Sequence, residues 1–353
     1  MSHPGTNDQL YDDLNDLLFY AVNNPHQETA LYPFFGRLNT AITSNVAVTH
    51  PITGERIGSL ASHPQASFVA GARDSDTLVG KRHPDYAILM TFKRGRALEN
   101  HDPKAAYLGY WQEIKRLYRT DNPLTEEDWL SDAGIALAEK QFNSHLFQVC
   151  DQARYGYQLF KTCDTFYVFL IQGMIFTLFE FTRPGSGEKS IPSQRLRKNK
   201  DTAELDKLQL ITRRPRPRVL YYMKQILGDP SHDGQRRLSD EFLLALADVR
   251  VAEPACLTLR PEGSHFLPRP GSTVKRPTEQ QVSQWTENVQ DAIESLESLA
   301  QRELDAGLGM HDPPISLSRI APFLSSLLSS IQASHSPHRS RPSSHASLVT
   351  LHS

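Results

Sequence analysis

Two short runs of this sequence carry residue types that could perform hydrolysis together. Pro84-Asp85 is followed, 28 positions after the aspartate, by Glu113-Ile114-Lys115. On a β-strand, side chains two apart share one face. Glu113 and Lys115 would then project together, beside Asp85 on a neighbouring strand. Two carboxylates and the carbonyl of Ile114 are hard oxygen donors of the kind Mg²⁺ takes. A cation held there would polarise a phosphodiester and lower the pKa of bound water. Lys115 would orient or help deprotonate that water and stabilise charge developing on the phosphate.

Whether these residues meet depends on the elements that carry them. Tyr86–Phe92 is a run of strand formers. Ala105–Tyr118 has two readings. Its Tyr, Trp and Ile content and Gly109 favour a strand. Drawn as a helix, it places Leu108, Trp111, Ile114 and Tyr118 on one stripe; Glu113 and Lys115 then diverge and the site vanishes. Asp85 after proline also suits a plain turn.

The clearest element is a helix over Asp132–Thr162, where Leu146, Val149, Cys150, Ala153, Tyr157 and Phe160 recur every three or four residues. Gly156 inside it implies a close neighbour, since glycine costs about 1 kcal/mol against alanine there. Phe166–Thr182 follows as a hairpin turning at Gln172-Gly173. With both faces apolar, its strands belong in the middle of a covered sheet. Upstream, Asp12–Val22 and Glu28–Thr43 read as amphipathic helices, Ser44–Leu60 as strand or loop turning at Thr53-Gly54, and Ser67–Ala70 as a short strand. Downstream, Val219–Leu227 and Ser239–Ala247 are expected as short helices, the second capped by Ser239, and Val249–Leu259 as a strand. Thr278–Leu304 is a polar helix with a narrow stripe of Val282, Trp285, Val289, Ile293, Leu296 and Leu299.

In this order the residues resemble the PD-(D/E)xK nuclease-like superfamily. Its members place a helix with an acidic residue first, then the PD strand, the ExK strand, and a helix often bearing Gln and Tyr. The chain offers Glu28, Pro84-Asp85, Glu113-Ile114-Lys115, and then Gln148, Gln152, Tyr155 and Tyr157. The likeness covers roughly 28–182, about half of the chain. It implies a restriction-endonuclease-like mixed sheet flanked by helices, Mg²⁺ as cofactor with Asp85, Glu113 and Glu28 as ligands, and Gln152 in support of the site or substrate. A narrower resemblance runs through Gln152–Phe160, Phe166–Ile171 and Thr182–Gly185, to the region ahead of the kinase lobes in fungal-type protein kinases. It does not extend to phosphotransfer. There is no H-R-D catalytic loop, no D-F-G and no GxGxxG after a strand. Ser186–Ser190 lacks the glycine spacing of a P-loop. Kinase activity is therefore excluded.

Composition bounds the remainder. The 353 residues carry 38 Lys+Arg against 40 Asp+Glu, so any basic surface is local. One such stretch is Arg195–Arg218, with nine Lys/Arg against three Asp/Glu. It suits phosphate contacts, together with the sheet face, or nuclear import, or a solvated loop. Cys150, Cys163 and Cys256 have no CxxC spacing and read as buried thiols. No histidine is assigned a catalytic role. The polar start lacks a secretory signal and Phe166–Phe181 is too short to span a bilayer, so the chain is expected to be intracellular, nuclear or cytoplasmic. The expected organisation is a nuclease-like domain over 9–183, a basic linker over 184–218, a helical extension over 219–304 and a disordered tail over 305–353. Two functions follow from different classes. One is Mg²⁺-dependent cleavage of nucleic acid through Asp85, Glu113, Lys115 and Gln152. The other is a non-catalytic module binding protein, through Thr278–Leu304, or nucleic acid.

Overall fold

The structure is a computed structural model and describes residues 7–24, 27–50, 53–70, 80–92, 107–118, 124–160, 163–183, 215–230, 232, 234–251, 257–269 and 271–305. Expectations for most of Arg195–Arg218, for Cys256 and for the tail beyond Asp305 lie outside these residues.

Helix α1 (Asn7–Asn23) leads through a 3₁₀ turn (Glu28–Leu31) into α2 (Tyr32–Asn45). Pro33 sits in the first turn of α2, where its missing N–H costs nothing. Strands β1 (Val46–Thr49) and β2 (Arg56–Pro64) follow, then the short pair β3 (Phe68–Ala70) and β4 (Gly80–Arg82), and β5 (Tyr86–Phe92) and β6 (Tyr107–Lys115). The short helix α3 (Glu126–Trp129) precedes α4 (Asp132–Leu159), which crosses to β7 (Thr165–Gln172) and β8 (Ile175–Thr182). Then come β9 (Arg218–Gln225), α5 (Asp240–Val251), β10 (Leu257–Leu259) and α6 (Glu279–Asp305).

Eight strands form one mixed sheet in the order β10-β1-β2-β5-β6-β7-β8-β9. The β6–β7 pair is parallel, and every other pair in it is antiparallel. A parallel neighbour requires a crossover connection, and α4 supplies it. Its end is set by Arg183, whose guanidinium donates to the carbonyls of Tyr157, Phe160 and Cys163. This closes the helix at Leu159, three residues short of the expected Thr162, by meeting carbonyls the helix leaves open.

The sheet is covered on both faces. Pairing puts Trp111, Glu113 and Lys115 on the face of Val168, Leu170 and Gln172. Gln172 donates to the Ala138 carbonyl and Phe179 stacks on Phe142, so this is the α4 face. On the opposite face Tyr110 and Phe176 meet Phe169, and Phe242 of α5 packs on both phenylalanines. The hairpin β7–β8 is thus interior, turning at Gly173 with φ +62°. A Cβ there would lie 2.8 Å from Leu117 Cδ1, so glycine is required twice over.

Two downstream expectations are corrected. Val219–Leu227 is not a helix, because its residues alternate between buried and part-exposed and extend the sheet as β9. Of the described residues of Val249–Leu259, Leu257–Leu259 are strand, and Val249–Val251 are the end of α5. Ser239 caps α5 as expected, its hydroxyl accepting from Phe242 N–H at 3.1 Å. Helix α6 opens on a reciprocal Thr278–Gln281 box and lays Val282, Val289, Ile293 and Leu296 into the domain, against β9. No helix among the described residues is long and apolar enough to cross a membrane.

Candidate active site at the β5–β6 ends

The segment Tyr107–Lys115 is a strand, so Glu113 and Lys115 share a face. The antiparallel register pairs Tyr86 with Gln112, which leaves Asp85 beside Glu113 at the start of β5. Strand β6 runs on where β5 has not yet begun. There the Asp85 carboxylate replaces the missing backbone partner, Oδ2 accepting from Ile114 N–H at 2.6 Å. Its other oxygen accepts from the Tyr32 hydroxyl at 2.7 Å.

Tyr32 is placed by α2, and α2 is fixed over β6 by a buried amide pair. Asn39 donates to Gln112 at 2.7 Å and Gln112 returns the bond at 3.0 Å. The Tyr86 hydroxyl also donates to the Tyr32 carbonyl, at 2.9 Å. One helical turn before Tyr32, Glu28 lies at the same end, 3.4 Å from the Tyr32 hydroxyl and 3.8 Å from Lys115 Nζ.

Glu113 is 1% exposed, yet it is surrounded by donors. Lys115 Nζ lies 2.6 Å from Oε1. Gln148 donates to the same oxygen and Gln152 to Oε2. Gln152 is itself oriented by Trp111, whose indole N–H donates to its carbonyl oxygen at 3.0 Å. Gln152 is therefore a positioning residue for Glu113, fully enclosed behind it. Tyr155 and Tyr157 do not join the site. Tyr155 lies by the Arg82 and Arg154 guanidiniums, and Tyr157 packs on Phe166 and Arg183.

The electrostatics follow from enclosing charge. Burial pushes Glu113 up to about 7, Asp85 adding to the rise while Lys115 and Gln152 oppose it. Burial also raises Asp85, against the pull of Ile114 N–H, Tyr32 and Lys115, and raises Glu28. For Lys115 burial works downward, but Glu113 and Glu28 outweigh it and hold its pKa above the usual value. Lys115 is accordingly an ammonium.

The residues that could hold a cation are Asp85 and Glu113, whose carboxylates are hard oxygen donors. Among the described residues, no three of His, Cys, Asp and Glu are grouped so as to hold a metal ion by themselves. Glu28 is turned to Tyr32 and Lys115. The chemistry of the pair fits Mg²⁺, which binds through one or two carboxylates and keeps several waters.

Two residues near this cluster have no part in the sequence reading. Tyr32 was legible only as the residue four after Glu28, on the same helical side. His145 lies on α4 three residues before Gln148, and its one signal is that spacing. Of the basic stretch only Pro215–Arg218 is described, and Arg216 and Arg218 pair with Glu297 at 2.8 Å and Glu279 at 2.7 Å on α6. No family model, no curated protein and no solved structure matches the chain.

Proposed function

We propose that the domain is a restriction-endonuclease-like module whose β5–β6 ends form a Mg²⁺-dependent site for hydrolysing nucleic-acid phosphodiesters. The observation that carries this reading is the meeting of Asp85, just before β5, with Glu113 and Lys115 at the end of β6. The element order supports it: helix α2, three antiparallel strands β2-β5-β6, crossover helix α4, then β7 parallel to β6. Of that order, the PD-(D/E)xK resemblance implies the first helix, the PD strand, the ExK strand and the Gln-bearing helix.

Asp85 and Glu113 would hold the cation. Bound there, Mg²⁺ would polarise the scissile phosphate and bring the pKa of a bound water toward neutrality. Asp85 is kept in place by Ile114 N–H and Tyr32, and Glu113 by Gln148 and Gln152, so the ligands are oriented in advance. As an ammonium, Lys115 donates to the attacking water or to phosphate oxygen and stabilises charge growing there. It does not serve as the base.

A second reading, a non-catalytic binding module, is favoured by one feature. Both site carboxylates are satisfied by bonds within the chain, so nothing in the fold requires an ion. Incubation with DNA and with RNA, plus Mg²⁺ or Mn²⁺, separates the two. Cleavage that Asp85→Ala and Lys115→Ala abolish supports the nuclease; cleavage surviving both substitutions removes it.

A further inference from the structure

Helix α4 turns a row of polar residues toward the end of β6. Gln141, His145, Gln148 and Gln152 follow at intervals of four, three and four, which on an α-helix is one narrow stripe. Gln141 donates to the Tyr118 carbonyl at 2.6 Å, just past β6. Gln148 and Gln152 donate to Glu113. His145 stands between these contacts, over the stretch between Glu113 and Tyr118 that contains Lys115.

Its Nε2 is buried and has no hydrogen-bond partner. Leaving such an atom unsatisfied is costly, and each instance in a folded protein calls for a reason. Burial, and then the Lys115 ammonium, push the imidazole down to about 3, so the ring is neutral and one nitrogen is an acceptor. Beside an ammonium, the tautomer with its lone pair on Nε2 is the favoured one.

In the ion-free chain Lys115 occupies Glu113 Oε1. A divalent cation on Glu113 would compete for that oxygen and repel the ammonium. Lys115 carries its charge on a flexible four-carbon stem, and Glu28, at 3.8 Å, is part-exposed. Two buried atoms of the stripe have no partner, Gln141 Oε1 and His145 Nε2. His145 is the one whose ring feels the Lys115 charge, and Gln141 is already tied to the Tyr118 carbonyl.

We propose that His145 is a positioning residue that receives the Lys115 ammonium when a divalent cation occupies Asp85 and Glu113. This rests on the metal-dependent reading of the site. The inward nitrogen is then a docking point that the ion-loaded state uses.

The test uses the full chain and Mg²⁺ itself. Calorimetric titration compares wild type, His145→Leu and His145→Gln, while ¹⁵N spectra follow the His145 imidazole, assigned by its loss in His145→Gln. His145→Leu is expected to weaken Mg²⁺ binding on the order of tenfold, and His145→Gln, which keeps an acceptor, to restore most of it. The Nε2 resonance is expected to move on adding Mg²⁺ in wild type and to stay fixed in Asp85→Asn. A purely structural histidine would change the melting temperature on substitution and leave Nε2 indifferent to Mg²⁺. Wild-type Mg²⁺ binding with an unmoved Nε2, or with unchanged affinity in His145→Leu, overturns this inference alone. Wild type that binds neither Mg²⁺ nor Mn²⁺ overturns the metal-dependent reading, and this inference with it.

Discussion

Part-exposed Lys115 and buried Glu113 form an ion pair, Nζ to Oε1 at 2.6 Å, two residues apart on one strand face. Their separation along the chain is what an extended strand provides, and Gln148 and Gln152 hold the glutamate from behind. Removing one partner leaves the other enclosed and uncompensated. Lys115→Met is expected to cost about 3 kcal/mol at pH 8. The loss is expected to be clearly smaller at pH 5, where Glu113 can take up a proton. Urea unfolding at the two pH values checks this; an equal loss at both would contradict it.

Glu113 gives the fold a pH dependence of defined sign. Its pKa rises on folding from 4.5 to about 7, chiefly through burial. The folded chain therefore binds this proton more tightly than the unfolded one. The contribution to stability is complete below about 4.5 and is lost as pH rises through about 7. Its size is on the order of 1–3 kcal/mol. Stability measured from pH 4.5 to 8 should fall more steeply in wild type than in Glu113→Gln. Parallel curves would remove Glu113 as the titrating group.

Gln152 joins two buried groups, accepting from the Trp111 indole and donating to Glu113. Gln152→Leu keeps most of the volume and orphans both. It is expected to destabilise the fold by about 2–3 kcal/mol, read from the midpoint of urea unfolding. A change under about 0.5 kcal/mol, the range of neutral surface substitutions, would show that neither bond matters.

Two glycines should respond with opposite signs. At Gly173 the backbone has φ +62° and a Cβ would press on Leu117 at 2.8 Å, so Gly173→Ala is expected to cost at least about 1–2 kcal/mol. At Gly156 the nearest atom, Cε2 of Phe166, lies 3.5 Å from a built Cβ, which is ordinary contact. Gly156→Ala is expected to stabilise by up to about 1 kcal/mol. Thermal unfolding of both variants measures the pair.

The same packing explains what the sequence could and could not reveal. Asp85 and Glu113-Ile114-Lys115 were legible because an antiparallel pair brings their short runs together whatever the loop between them. Strand β6 itself was ambiguous: all its residues but Lys115 are buried, from both faces, so the period of two disappears and a helical stripe can be drawn through it. Strand β9 is the opposite case. Val219, Tyr221 and Met223 are buried and their neighbours are not, an alternation that marks a strand. It was obscured by a basic, proline-rich approach and by apolar residues on both faces. Tyr32 offered only its helical spacing from Glu28 and His145 only its spacing from Gln148, signals that name no partner, because the groups near them come from distant parts of the chain. The expected neighbour of Gly156 is the Phe166 ring, on the next strand.

The most direct measurement is the rate of nucleic-acid cleavage by wild type and by Asp85→Ala and Lys115→Ala, with Mg²⁺ and with a chelator. The site described above predicts cleavage by wild type in Mg²⁺, none in chelator, and a loss of about 10²-fold or more in each variant, the scale seen when a group stabilising transition-state charge is removed. Cleavage that persists in both variants would contradict it, because then neither the carboxylate on the PD segment nor the lysine of the ExK strand takes part.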